Sequence, residues 1–245
     1  VDGQYLFNDQ EKVEDDKAPS DGDLQSARDA YKSSGGDDSS QKKLIQLLTQ
    51  RSYRLTKKQM WGEAIERWEE VQNADPSNVR ARNNLTVAYT TLGLSYALHS
   101  LFDEAIEVWE NALKLNPDDG DLIHNLALAS EKAEDKARSN KYWKECTDRW
   151  KKELNNSDGN DEYLRAVLIE AHRYHSSQAE MEGHSSQEAK SESINHYREV
   201  LNLKPDDFEA QYRIATSLVE EKRYAEAVKE FEAIHRKHPK NIEVL

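Results

Sequence analysis

Three histidines in the second half of the chain belong to a residue type that binds metal ions. His172 and His175 are three residues apart, and His184 follows in a polar stretch. Neutral imidazole is a common zinc ligand, but two histidines at this spacing need a carboxylate or a thiolate to complete a zinc site. The sequence offers no cysteine and histidine set at metal-binding spacing. We therefore expect solvated histidines, with no metal site and no cofactor.

Two acidic pairs and one thiol are the other groups that could do chemistry. Asp118–Asp119 and Asp206–Asp207 resemble paired carboxylates for acid–base catalysis, but each follows a proline and is explained as the cap of the next helix. Cys146 is the single cysteine, and we expect it to pack as a small apolar residue. Without a glycine-rich phosphate loop or a nucleophile elbow, we expect that the protein is not an enzyme.

Composition and charge limit the classes of partner. Of the 245 residues, 36% are hydrophobic and 33% are charged, which suits a thin and well-solvated helical protein. The net charge of −13 argues against nucleic acid as a ligand, because affinity for phosphates comes from clustered Lys and Arg. No apolar run approaches the roughly 18 residues that a membrane span needs. The chain begins at Val1 rather than Met, so we leave open a removed leader and favour the cytoplasm.

The first forty residues differ in composition from the rest. Residues 1–40 contain 11 acidic and 4 basic residues, and Ser33–Gly36 and Ser39–Ser40 are typical of linkers. Such a segment buries too little apolar surface to fold by itself. We predict an acidic, low-complexity N-terminal arm at 1–40 and a folded domain at 41–245. Removing the arm should leave the stability of the fold nearly unchanged.

The arm has two alternatives to a fully solvated state. Asp21–Tyr31 could form a short helix that uses Leu24, Ala27 and Tyr31. The arm could also order against a partner protein with a basic surface, where Tyr5, Leu6 and Phe7 supply its only sizeable apolar anchor.

Helical periodicity is clearest between Tyr89 and Pro117. Two apolar stripes lie there at helical spacing, the first formed by Tyr89, Leu92, Gly93 and Tyr96 and the second by Phe102, Ala105, Trp109 and Ala112. Two amphipathic helices with a short break between them predict an αα-hairpin. The small residues Gly93 and Ala105 would let the two backbones approach closely.

These residues and their spacing resemble the tetratricopeptide repeat (TPR), whose pattern is W-x2-LG-x2-Y, then A-x3-F, A and P. The proline of that pattern recurs at Pro76, Pro117, Pro205 and Pro239. The resemblance implies an all-α solenoid of αα-hairpins, a right-handed superhelix of about five helix pairs. It also implies a non-catalytic scaffold or adaptor for protein binding. The repeats fall at about 45–77, 78–118, 119–156, 160–206 and 207–240.

Two repeats are longer than the 34 residues of the family. Ala64 and Ala105 hold the same repeat position but are 41 residues apart, and the pattern of the first helix occurs twice in between. Seven residues are close to two helical turns, so we predict one continuous helix over 78–100. The fourth repeat has about 20 extra residues, which include the polar stretch 176–190. That stretch is either a mobile loop or an exposed helical extension.

The resemblance also implies where a partner binds, because the first helix of each repeat (helix A) lines a concave groove in this family. Four positions per repeat point into the groove, and in the first three repeats they are Gln46, Thr49, Gln50 and Tyr53, then Arg80, Asn83, Asn84 and Val87, then Asp121, His124, Asn125 and Leu128. Gln50, Asn84 and Asn125 share one position, and an amide can both donate to and accept from a peptide backbone.

The candidate groove residues are therefore Gln50, Tyr53, Arg80, Asn84, His124 and Asn125. The alternative is that polar residues simply occupy a solvated face. A carboxylate clamp of the kind that binds heat-shock-protein tails is not expected. Only Asn84 matches it, and Asp121 would repel a terminal carboxylate.

Two functions remain open at this point. The protein is an adaptor that binds an extended segment of a partner in the groove, or it is a structural subunit in the assembly of a larger complex, held through its convex face and acidic arm. Exposed apolar residues would favour the second function. A chaperone for secreted proteins is a weaker third alternative, which predicts a more apolar groove.

Overall fold

The computed structural model describes residues 19–157, 161–182 and 187–237, and all regular structure in these ranges is α-helical. The predicted all-α fold is therefore confirmed. The helices are α1 (Asp21–Ser33), α2 (Asp38–Lys57), α3 (Trp61–Ala74), α4 (Val79–Leu98), α5 (Phe102–Leu115), α6 (Gly120–Lys132), α7 (Lys136–Asn156), α8 (Glu162–Glu182), α9 (Gln187–Leu203), α10 (Phe208–Glu220) and α11 (Tyr224–Lys237).

The chain divides into two compact units, Val1–Leu122 and Ile123–Leu245. In the first unit α1 packs on α2, α2 on α3, α3 on α4 and α4 on α5. In the second unit α7 packs on α8, α8 on α9, α9 on α10 and α10 on α11. These helices are thus buried mainly by their neighbours along the chain, as in a repeat protein.

The turn between the two helices of a hairpin has the same geometry in four places. Four non-glycine residues there have φ near +60°, namely Gln59, Ser100, Glu134 and Lys222. In each turn the residue after the one with positive φ donates its backbone N–H, at 2.9 or 3.0 Å, to the carbonyl five residues before it. The accepting carbonyls are those of Leu55, Tyr96, Ser130 and Leu218. This 6→1 bond marks a Schellman C-cap, so these four carbonyls hold equivalent positions in their hairpins.

Helix α4 confirms the predicted extension, because it runs without a break from Val79 to Leu98. Its close approach to α5 depends on Gly93. A Cβ on Gly93 would lie 2.5 Å from Cδ1 of Trp109 and still closer to its Nε1. The indole is fixed in place because Nε1 donates to the carbonyl of Thr90 at 3.1 Å. The small residue at this position therefore has a direct steric cause.

The prediction of a solvated arm is wrong for residues 21–33, which form α1. Ser20 and Asp23 make a capping box at its start, and Leu24 is only 1% exposed against α2. Arg28 also donates to Glu70 of α3 through two bonds of 2.7 and 2.9 Å. The short-helix alternative is therefore the one that the structure shows.

The next helix, α2, begins earlier than predicted, at Asp38 rather than near residue 45. Residues 1–18, including Tyr5, Leu6 and Phe7, lie outside the described residues, and for them the acidic arm stays a prediction.

We expect Leu24→Ala to destabilise the first unit by about 2–4 kcal/mol, because it opens a cavity between α1 and α2. Ser26→Ala is the matched control on the exposed side of α1 and should change stability by less than about 0.5 kcal/mol. Urea unfolding followed by circular dichroism measures both. If Leu24→Ala unfolds at the same urea concentration as the parent, α1 is an appendage and the original arm prediction stands.

The helix ends next to the prolines agree with their predicted role. Helices α3, α5 and α9 end two residues before Pro76, Pro117 and Pro205, whereas Pro239 lies outside the described residues. The second aspartate of each acidic pair is confirmed as a cap, whereas Asp118 and Asp206 precede the capping residue. Asp119 accepts from the amide of Leu122, and Asp207 accepts from that of Ala210, each at 3.0 Å.

The polar stretch 176–190 is helical where the structure describes it. Helix α8 continues to Glu182 and α9 starts at Gln187, and residues 183–186 lie outside the described residues. The helical extension is not simply exposed, because Ser176 and Ala179 are buried. These two residues lengthen the α8 face that packs on α9.

Candidate functional site

The structure brings two of the candidate groove residues together in the first unit. Asn84 on α4 places its Nδ2 3.5 Å from the hydroxyl of Tyr53 on α2, at the outer limit of a hydrogen bond. The same nitrogen donates at 2.8 Å to the carbonyl of Arg80. Both contacts use the amide nitrogen, so the side-chain oxygen of Asn84 is the atom that can accept from a partner.

Tyr53 is held in place by an aromatic neighbour. Its ring meets Trp68 of α3 edge-on, with centroids 5.1 Å apart and an interplanar angle of 87°. Trp68 is buried, whereas Tyr53 and Asn84 are half-buried. The two side chains therefore form a fixed and partly exposed polar surface between two successive A helices.

Gln50 and Arg80 lie one helical turn from this pair. Gln50 precedes Tyr53 by three residues on α2 and is half-buried, and Arg80 precedes Asn84 by four residues on α4 and is exposed. Residues at these spacings share a helix face. We call the surface formed by Gln50, Tyr53, Arg80 and Asn84 the amide surface.

His124 and Asn125 lie on α6 in the second unit, where His124 is packed more tightly than a groove residue should be. Its ring lies edge-on to Trp143 and Trp150, with centroids 5.6 and 5.3 Å away. Its Nε2 lies 3.1 Å from Glu170, and its side chain is only 14% exposed. His124 thus has an evident packing role, while the neighbouring Asn125 is half-buried.

The expectation of solvated histidines is wrong for His172, which is 5% exposed. Its Nδ1 lies 3.2 Å from Nδ1 of His196 on α9, and the ring of His175 stacks on that of His196 with centroids 5.2 Å apart. Burial, followed by the neighbouring His196, lowers the pKa of His172 to about 4. Burial also lowers the pKa of His175 and of His196.

No pattern in the sequence pointed to His196, because it is 24 residues from His172 and on another helix. His184 lies outside the described residues. Within the ranges that the structure describes, no group of three or more His, Cys, Asp or Glu side chains is arranged to hold a metal ion. We refer to His172, His175 and His196 as the histidine cluster.

Cys146 is a packing residue, as expected. It is fully buried on α7, and burial raises the pKa of its thiol to about 12. The thiol therefore stays protonated at neutral pH, which removes the thiolate that nucleophilic chemistry needs.

Comparison with known proteins gives a partial sequence match and several similar folds. Residues 187–242 match the sequence model of a family described as tetratricopeptide repeat. No curated protein sequence matches the chain. The matched segment includes helices α9, α10 and α11.

Three solved structures illustrate the similarity of fold. The first is YrrB, described as a TPR protein with an unusual peptide-binding site, at 15% identity, TM-score 0.45, covering 90% of this chain and 96% of that one. The second is MamA, at 19% identity, TM-score 0.46, covering 77% and 95%. The third is BtubC from P. vanneervenii, at 14% identity, TM-score 0.45, covering 88% and 86%.

None of the helices in the described part of the chain combines the length and the apolar character of a membrane-spanning segment.

Proposed function

We propose that the whole chain is a tetratricopeptide-repeat protein, of which residues 187–242 match the family's sequence model, and that it is a protein–protein interaction scaffold whose amide surface binds an extended segment of a partner protein. The observation that carries the proposal is the contact between Tyr53 and Asn84. It joins the A helices of two successive repeats into one partly exposed polar surface.

The chemistry of this surface suits a peptide backbone. The side-chain amides of Gln50 and Asn84 can each donate and accept, so they can pair with main-chain N–H and C=O groups whatever the side chains of the partner. Tyr53 adds a rigid aromatic contact, a type of residue that often dominates binding energy at interfaces. Asn125 occupies the same repeat position in the second unit and offers the same chemistry there.

Arg80 would supply selectivity rather than general affinity. It is exposed one turn before Asn84, where a guanidinium can pair with an acidic side chain of the bound segment. The rest of the chain is strongly acidic, with a net charge of −13. We therefore propose a partner segment with an acidic residue opposite Arg80 and few other negative charges, since more would be repelled.

The test is isothermal titration of a partner segment, first identified by affinity capture and mass spectrometry and then synthesised as a peptide. Gln50→Ala combined with Asn84→Ala should weaken binding about tenfold, because each lost hydrogen bond is worth roughly 0.5–1.5 kcal/mol. Both side chains are at least partly exposed, so the melting temperature should change little.

Asn111→Ala is the matched control, because it removes an amide from helix α5, the second helix of its hairpin. Asn111 accepts a bond from Lys114 at 2.9 Å and is no part of the amide surface. If the double variant binds as tightly as the Asn111→Ala variant, the amide surface is not the binding site.

One observation favours the second candidate function, a structural subunit of a larger assembly. Leu94, Leu98 and Leu101 are exposed at the end of the lengthened α4 and in the turn after it, with Leu98 84% exposed. Exposed apolar groups of this kind often mark an interface. Under this alternative Leu98→Ser weakens the assembly, whereas Asn84→Ala leaves it intact.

A further inference from the structure

A second binding site is suggested by a cavity within the second unit. The cavity has a volume of about 640 Å³ and lies among the end of α6, the turn after it, the start of α7 and the middle of α8. Its walls include Ser130, Ser139, Glu170 and Arg173. None of these residues belongs to the amide surface, so the two sites are independent.

The cavity has a clear origin in the sequence. The carbonyl of Ser130 accepts the 6→1 bond of its turn, as the carbonyls of Leu55, Tyr96 and Leu218 do in theirs. Ser130 therefore occupies the repeat position that holds a large side chain in those three hairpins. Ser130 is the smallest of the four side chains at this position, and it is itself buried.

Two hydroxyl groups in the cavity wall lack a partner. Ser130 and Ser139 are buried, and neither Oγ has a hydrogen-bond partner among the described residues. Buried hydroxyls elsewhere in the helices behave differently, since Ser52, Thr56 and Ser176 each donate to the carbonyl four residues before them. Buried polar groups are nearly always paired, so two orphans in one wall point to a ligand.

Exposed carboxylates give the cavity a preference for positive charge. Glu131, Glu134 and Glu170 are wall residues with exposed side chains, and Asp135, which pairs with Arg138 at 3.2 Å, caps α7 beside them. The basic wall residues are Lys132, Lys136 and Arg173.

Arg173 contributes little free positive charge. It pairs with Glu209 at 3.5 Å and with the buried carboxylate of Asp207, which lies 2.9 Å from its Nη2 and also 3.3 Å from Nζ of Lys204. The chain as a whole carries −13. An anionic ligand would therefore meet repulsion, and a cationic one attraction.

We propose that this cavity binds the guanidinium group of an arginine side chain presented by a partner protein. A guanidinium has five N–H donors in one plane and no acceptor. The orphan hydroxyls of Ser130 and Ser139 accept two of these bonds, and the carboxylate of Glu134 or Glu170 accepts a charge-assisted pair at the mouth. Leu128 and Met181 in the wall contact the aliphatic stem of the arginine.

The Nε of Arg173 completes the site. This buried nitrogen also has no hydrogen-bond partner among the described residues. As a donor it cannot bond to a guanidinium, but it can donate to the main-chain carbonyl of the same partner residue. The site would thus recognise an arginine within a peptide and not the free cation alone.

The probe is N-acetyl-arginine-N′-methylamide, titrated into the full chain and followed by ¹H–¹⁵N NMR. The matched control ligand is the citrulline analogue, which has the same shape but no charge. We expect saturable shifts at Ser130, Ser139 and Glu170 and binding at least about tenfold weaker for citrulline, because charge-assisted bonds are roughly twice as strong as neutral ones. The lysine analogue should also bind more weakly, since it lacks the planar fork.

Two variants test the site itself. Ser130→Tyr fills the cavity and should abolish the shifts, while Ser130→Ala removes one acceptor and should weaken binding several-fold. Ser52→Ala is the matched control, because it removes a buried hydroxyl in the first unit. If Ser130→Tyr fails to fold, the comparison of Ser130→Ala with Ser52→Ala still shows whether the Ser130 hydroxyl contributes to binding of the arginine probe.

The proposal is overturned by equal binding of the arginine and citrulline probes, by binding that survives the loss of the Ser130 hydroxyl, or by no saturable shift, as when only water enters the cavity. Asn84→Ala should leave arginine binding unchanged. Failure of this site and failure of the amide surface are therefore distinguishable.

Discussion

Replacing Gly93 with alanine should destabilise the first unit by about 3 kcal/mol or more, because the added methyl group has no space. Its Cβ would lie 2.5 Å from Cδ1 of Trp109, a ring that is buried and bonded to the carbonyl of Thr90. Replacing a glycine in a helix interior with alanine normally stabilises the protein by up to about 1 kcal/mol. At Gly93 we expect the opposite change in the free energy of unfolding, and urea unfolding measures it.

Gly62→Ala is the matched control for this prediction. Gly62 lies in α3, and a Cβ built there meets no heavy atom within 4 Å. Because Gly62 lies in the first turn of α3, the variant should keep its stability or gain up to about 0.5–1 kcal/mol, the value for a helix interior. A Gly93→Ala variant that gains stability like Gly62→Ala would show that α4 and α5 are not in close contact at this point.

A double-mutant cycle identifies Trp109 as the cause. Trp109→Ala alone should cost about 3–5 kcal/mol, because it leaves a large cavity. In that background Gly93→Ala should cost nothing, since its methyl group enters the space of the indole. If the losses of stability in the two single variants simply add in the double variant, the destabilisation by Gly93→Ala arises from a contact other than Trp109.

Acidification from pH 7 to pH 4 should remove about 3 kcal/mol of stability from the second unit through His172 alone, at 1.36 kcal/mol per pKa unit. In the folded protein His172 titrates near pH 4, against 6.5 for its ordinary value. Between these values the unfolded chain binds more protons than the folded chain, so stability falls as the pH falls. The contribution is complete above about pH 6.5 and is lost through this window.

The other members of the histidine cluster act in the same direction, because burial lowers the pKa of His175 and of His196 too. Charged groups also act on His172. Glu199 opposes the lowering of its pKa, while His196, His175 and Lys151 add to it. A fully protonated cluster would place several positive charges within one helix interface, which is unfavourable in a buried site.

His172→Leu tests the assignment, because it removes the titrating group while filling most of the space. The variant should show a flatter fall in stability between pH 6.5 and 4, measured by urea unfolding with amide exchange as a readout for the second unit. His99→Leu is the control at an exposed histidine at the end of α4. A slope in His172→Leu as steep as in the parent would assign the acid sensitivity to other groups.

Part of this structure follows from patterns between near neighbours in the chain. The prolines at Pro76, Pro117 and Pro205 end their helices, and the aspartates after two of them cap the next helix. The seven-residue excess before Ala105 likewise predicts the long α4. Caps and apolar stripes connect residues one to four positions apart, so they are visible in the sequence.

Composition alone led to a wrong result at the N-terminus. The acidic, serine-rich stretch before residue 40 suggests a solvated arm, yet α1 buries Leu24 against α2 and pairs Arg28 with Glu70. The apolar residues of α1 are few, and their value depends on a surface of α2 and α3 that receives them. The average character of a segment does not show such a surface.

The candidate sites depend even more on the tertiary structure. The sequence by itself determined the helices, their caps and the repeat position of each amide, because these follow from backbone geometry over a few residues. Only the packing of one helix on another decided that His172 meets His196, that Asn84 meets Tyr53, and that Ser130 and Ser139 line one cavity. The burial, the partner and the pKa of a side chain are set by atoms of other helices, and their distance along the chain carries no local pattern.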